Sequence, residues 1–145
     1  MRSRPGFTLL ELALVLCIAG ILVLLATPPL DRARDLVATR AARDYVLTQL
    51  ALARALAPAH AGAEVVLDTV AARLSVRSPG RVHESTSLRE RFGVGVELSG
   101  QSSGSVALRF DGMGLGRMAS RTVTFRRGRA QAHVSISAYG RARPW

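Results

Sequence analysis

Lysine is absent from this chain: all twenty basic residues are arginine, set against ten acids, for a formal net charge of +10 over 145 residues. The imbalance favours anionic partners without naming one. Cysteine occurs once, at Cys17, which excludes an intrachain disulfide and the paired-cysteine redox and zinc motifs. No HExxH and no Gly-x-Ser-x-Gly is present. The histidines, His60, His83 and His133, fall on predicted loops and one strand, and His83-Glu84 reads as a solvated pair with no second ligand nearby. The glycine-rich Asp111-Gly112-Met113-Gly114 lacks the Lys-Ser/Thr of a phosphate-binding loop and reads as a tight turn. No catalytic residue, metal site or cofactor is therefore expected, and an enzyme is not. Aromatic residues make up 5% of the chain, a thin supply of large core anchors.

One long apolar run stands against these absences. From residue 7 to residue 26, twenty positions, only Thr8 and Glu11 are strongly polar. A helix of that length spans about 30 Å, the thickness of a bilayer's hydrocarbon core, so composition predicts one transmembrane helix. Cys17 within it reads as a small lipid-facing or packing residue, a cross-link between neighbouring subunits being the alternative. Glu11 is the anomaly. A charge at mid-bilayer costs about 2.5–3.5 kcal/mol on insertion scales, and such residues usually have a partner and a function. Arg2 and Arg4 hold the preceding end in the cytoplasm by the positive-inside rule. The run is followed by no convincing A-x-A site, with Ala26 a weak candidate. The alternative is a processing junction before the run.

Gly6-Phe7-Thr8-Leu9-Leu10-Glu11 resembles the class III signal of type IV pilins and type II secretion pseudopilins. The match covers the basic leader, the Gly-Phe junction, Glu11 and the whole apolar run. It implies a prepilin peptidase that cuts between Gly6 and Phe7, N-methylation of Phe7, and a role for Glu11 in filament assembly. Residues 1–6 are then a leader, and the mature chain has 139 residues and a charge of +8 once Arg2 and Arg4 are gone. The resemblance also implies a single-pass protein of the inner membrane, with its head in the periplasm and other pilins or pseudopilins as partners. A plain single-pass anchor is the alternative.

Beyond the run, Thr27-Pro28-Pro29 reads as a proline kink within one long helix, a sharper break between anchor and head being the alternative. Ala38, Ala42, Val46, Leu50, Ala53 and Ala57 recur at three- and four-residue steps, which predicts a stem helix over 30–57. Arg40 and Asp44 stand one turn apart on a wetter face. Pro58 stops the helix. Residues 58–145 read as a β-rich head. Residues 64–67 and 72–77 flank a turn at Asp68-Thr69, and residues 81–91 read as a charged loop. Further strands are expected over 92–98, 105–110, 122–125 and 133–138, where apolar positions alternate. About six short strands after a helical stem make an α+β class: a long N-terminal transmembrane and stem helix with a C-terminal antiparallel head.

Phe110-Asp111-Gly112, Thr122-Val123-Thr124 and Gly140-Arg141 make this order similar to the GspH/FimT branch of the pilin-like proteins. That resemblance implies a minor pseudopilin of a type II secretion system or related machine, with a two-sheet head. From Arg109 to Trp145 there are eight arginines and one acid, Asp111. Arg126, Arg127 and Arg129 cluster at one hairpin tip, and Arg141 and Arg143 lie in the tail. Phosphate backbones attract such surfaces through counterion release, and Tyr139 and Trp145 are candidates to stack on bases. Some FimT-type pilins bind DNA through a Gly-Arg-x-Arg element, which Gly140-Arg141-Ala142-Arg143 matches. A solvated basic tail is the plainer reading, so DNA is the second candidate partner.

Overall fold

The computed structural model describes residues 8–100 and 104–145, without the side chains of residues 25–29. The Gly6-Phe7 junction therefore lies outside the described residues. Thr8 opens the first helix: its backbone is extended (φ −79°, ψ 152°) and its hydroxyl accepts the N–H of Glu11 at 3.2 Å. That satisfies one of the donors a helix start leaves free. Helix α1 then runs as a single element from Leu9 to Leu56, 48 residues, about 72 Å. The anchor and stem are one continuous helix, as read from the sequence, and the alternative of a break at Pro28-Pro29 is not seen: the backbone is helical through both prolines. Proline's fixed φ suits a helix even as each ring removes one hydrogen-bond donor. Ala57 caps the end, followed by a 3-10 turn, Pro58–His60, and Ala61 in the left-handed region.

Eight strands follow, two more than expected: β1 (Ala63–Asp68), β2 (Arg73–Ser78), β3 (Arg81–Ser87), β4 (Gly95–Leu98), β5 (Ser105–Phe110), β6 (Arg121–Arg127), β7 (Ala130–Ile136) and β8 (Ala142–Pro144), with a short helix α2 (Leu88–Phe92) between β3 and β4. They form two antiparallel four-stranded sheets, ordered β3-β2-β1-β5 and β4-β6-β7-β8. The charged stretch 81–91, expected as a loop, is β3 and α2. The basic tail carries a strand, β8, at the edge of the second sheet.

Helix α1 packs against β1 and β2 of one sheet and against β6, β7 and β8 of the other. Its inner stripe is the one the periodicity predicts: Ala42, Val46, Leu50, Ala53 and Ala57 are buried, and Ala38 half-buried. Val65, Leu67, Leu74 and Val76 from one sheet and Val123, Phe125, Val134 and Ile136 from the other complete the core.

Candidate functional site

Two regions carry features that core packing does not explain. The first is the outer half of α1. Every described residue from 8 to 24 is exposed, among them Leu9, Leu10, Leu12, Leu14, Val15, Leu16, Ile18, Ile21, Leu22, Val23 and Leu24. Glu11 and Cys17 are exposed on this apolar rod. Glu11 sits three residues after the Thr8 cap, where a negative charge suits the positive end of the helix dipole. Sequence reading had not singled out Thr8 as its cap. Among the described residues no helix is long and apolar enough to cross a membrane. Phe7 and the side chains of residues 25 and 26, which belong to the apolar run, lie outside that description.

The second is the arginine-rich end, which the structure divides. Arg127 is committed to the fold: its Nε lies 2.9 Å from Asp35 Oδ1 and its Nη1 donates to the Phe92 carbonyl at 2.7 Å. Arg126 is exposed and reaches Glu97 at 3.6 Å. Arg129 is exposed in the β6–β7 turn, with no side-chain partner among the described residues. The three do not act as one patch.

Arg141 and Arg143 are arranged differently. Gly140 has φ +76°, and a Cβ there would lie 2.7 Å from Phe110 Cε1. Only glycine fits this turn. It is closed by Gly140 N–H to the Ser137 carbonyl (2.9 Å) and Ser137 N–H to the Arg141 carbonyl (2.8 Å). Strand β8 leaves it with Ala142 half-buried and Arg141 and Arg143 exposed, sharing one side of the strand. Neither guanidinium has a partner among the described residues. Both line a groove of about 590 Å³ with Arg121, Tyr139 and the hydroxyl residues Ser120 and Thr122. Tyr139 is 73% exposed. Trp145 is already used on one face. It stacks on His133 (centroids 4.6 Å, planes 20° apart), and its Nε1–H donates to Ser135 Oγ at 2.8 Å.

Other residues singled out in the sequence are structural. Asp111 Oδ1 accepts the N–H groups of Met113 and Leu115, both at 3.0 Å, and Oδ2 meets Arg117 Nε at 3.3 Å. Those bonds, Leu115's first, hold its carboxyl below the usual range. Its glycine-rich segment is a turn, as expected. His83 and Glu84 are not a solvated pair. His83 Nε2 lies 2.7 Å from Ser78 Oγ, while Glu84 accepts from Tyr45 Oη on α1 at 2.5 Å. Burial first, then the bond to Glu84, push the Tyr45 hydroxyl above its ordinary value. Asp44 pairs with its neighbour Arg43 at 2.8 Å, not with Arg40. Among the described residues no group of three or more His, Cys, Asp or Glu is placed to hold a metal.

No protein-family model and no curated protein matches the sequence. The fold is similar to the crystal structure of the type IV minor pilin FimU of Pseudomonas aeruginosa, with a TM-score of 0.54, 17% identity, 73% of this chain covered and 91% of that one. At that identity the likeness is one of fold, and the fold is pilin-like.

Proposed function

We propose that this chain is a minor pilin-like subunit of the GspH type. It is made as a prepilin, anchored in the inner membrane through residues 7–26 with its head in the periplasm, and assembled into the pseudopilus of a type II secretion system or a related pilus machine. The observation that carries this reading is the division of α1: an apolar outer part exposed at every described side chain from 8 to 24, and an inner half that buries one stripe in a two-sheet head. An apolar rod of that length is not stable in water and calls for lipid or for the helices of neighbouring subunits. An anchor that later packs a filament core meets both conditions. Cleavage after Gly6 would leave the Phe7 amino group beside the Thr8 cap. A positive charge is unfavourable at that end of a helix, and Glu11 in the first turn offsets it. Intact-mass measurement of the membrane form tests the reading: loss of residues 1–6 and gain of one methyl group are expected. An unprocessed N-terminus in cells with an active prepilin peptidase defeats it.

A FimT-type role in DNA uptake is the second reading. It is favoured by Arg141 and Arg143, which have no side-chain partner among the described residues and line one groove with Arg121 and Tyr139.

A further inference from the structure

A row of charges crosses one end of the β3-β2-β1-β5 sheet, on the face away from the core. The pairing register sets Arg77 of β2 and Arg109 of β5 on either side of Glu64 of β1. Neighbouring strands are about 4.8 Å apart, so the two arginine backbones lie about 10 Å apart with the carboxylate between them. Only Arg109 engages it, through one contact of 3.4 Å from Nε to Oε2. Arg77 and Arg81 are exposed and have no ion-pair partner among the described residues. These arginines border a cleft of about 470 Å³ whose walls include Ala63, Pro79, Val82 and Phe110. A Cβ on Gly80, in the turn lining this cleft, would meet nothing within 4 Å.

We propose that this cleft docks an acidic peptide segment of a partner protein, one whose carboxylate is flanked by apolar side chains. The guanidinium group of Arg77 takes the carboxylate in the forked geometry arginine favours, and Arg81, across the β2–β3 turn, adds positive charge at the rim of the same cleft. The apolar walls take the flanking side chains, the usual division between orienting charge and buried area. Charge also decides against a nucleic acid. A phosphate backbone tracks a continuous run of unpaired cations, and here Glu64 interrupts the row. A single carboxylate needs no such run of cations. The cleft lies on the opposite sheet from Arg141 and Arg143, so neither site depends on the other.

The test uses the full chain in detergent micelles and a fluorescein-labelled, end-capped peptide of alternating leucine and aspartate. Its asparagine counterpart and single-stranded oligothymidylate serve as comparators. Saturable binding of the aspartate peptide, but not of the asparagine one, is expected by fluorescence anisotropy. Arg77→Ala with Arg81→Ala should weaken it about tenfold or more, and Arg141→Ala with Arg143→Ala, an equal change of charge, less than about twofold. Glu64→Gln should tighten binding, because it frees Arg109; a gain cannot be produced by misfolding. Equal weakening in both double variants would reduce the effect to bulk charge and overturn the proposal. Preferential displacement by oligothymidylate, or no saturable binding, would overturn it too.

Discussion

Asp35 on the stem and Arg127 at the tip of the β6–β7 hairpin form an ion pair of 2.9 Å where α1 leaves the head. Both side chains are about three-quarters buried, 26% and 28% exposed. Two glycines make room for the pair. A Cβ on Gly93 (φ +69°) would lie 2.9 Å from Arg127 Nη1, and one on Gly128 (φ +54°) would lie 2.5 Å from Asp35 Oδ2.

Breaking this pair should destabilise the head unequally. Arg127→Ala removes the ion pair and leaves the Phe92 carbonyl without its donor, a loss of about 2–3 kcal/mol; Asp35→Ala removes the pair alone, about 1 kcal/mol. Urea unfolding followed by Trp145 fluorescence measures both. Equal losses would mean that the bond to Phe92 contributes nothing.

Gly140→Ala should be more damaging than Gly80→Ala. Both positions have positive φ, +76° and +74°, but only at Gly140 does the new methyl strike a core ring. Conformational strain alone costs about 1 kcal/mol, and the clash with Phe110 should add about 1–2 more. The same urea titration decides it, and indistinguishable midpoints would refute the argument.

If the tail binds DNA, affinity should fall steeply with salt, each phosphate contact contributing about 0.9 to the logarithmic slope. Arg141→Ala with Arg143→Ala should then lower the slope by up to about two units. Arg77→Ala with Arg81→Ala, on the other sheet, is the charge-matched control. Equal effects would return the tail to the role of a solvated surface.

The Asp111 turn predicts acid sensitivity. Its folded carboxyl titrates below the ordinary aspartate value, chiefly because Leu115 N–H donates to it. A depressed folded value stabilises the head above the unfolded value, and that contribution is lost as pH falls through the folded one. Asp111→Asn should flatten the stability profile in the acid window just below the ordinary aspartate value. An unchanged profile would place the acid sensitivity elsewhere.

Glu11→Ala should leave cleavage and membrane insertion intact, and even ease insertion by removing a charge from the apolar run. If the chain is processed after Gly6 and joins a filament, assembly should suffer, because the new amino group, its own or a neighbour's, would lose its counter-charge. Filament preparations probed for the subunit check this, and normal incorporation of the variant contradicts it.

The stem was legible because a single periodicity governs its inner face, from Ala42 to Ala57. Strands β5, β6 and β7 were legible because Leu108, Phe110, Val123, Phe125, Val134 and Ile136 alternate with wetter residues. Strand β3 was not. It is an edge strand with no fully buried residue, and the inward-facing Glu84 is satisfied by Tyr45, 39 positions away. Nothing in a local window reports such a partner. Strand β8 was hidden similarly: on its inward side Ala142 is only half-buried and Pro144 is exposed. In the arginine cluster, sequence proximity suggested one patch. Asp35 and Glu97, both remote in the chain, divide it, while the Gly140 turn sets Arg141 and Arg143 apart.

Arg54, near the end of the stem, donates to the Gly114 carbonyl at 3.0 Å and to the Tyr139 carbonyl at 3.1 Å, and its guanidinium lies over the Phe110 ring. Gly114 belongs to the turn after β5 and Tyr139 to the turn before β8, so one side chain clasps both sheets. Further along α1, Tyr45 grips the first sheet and Asp35 the second. A pull along the helix axis would therefore load contacts to both halves of the head together. The head behaves mechanically as a rivet on the end of its own rod.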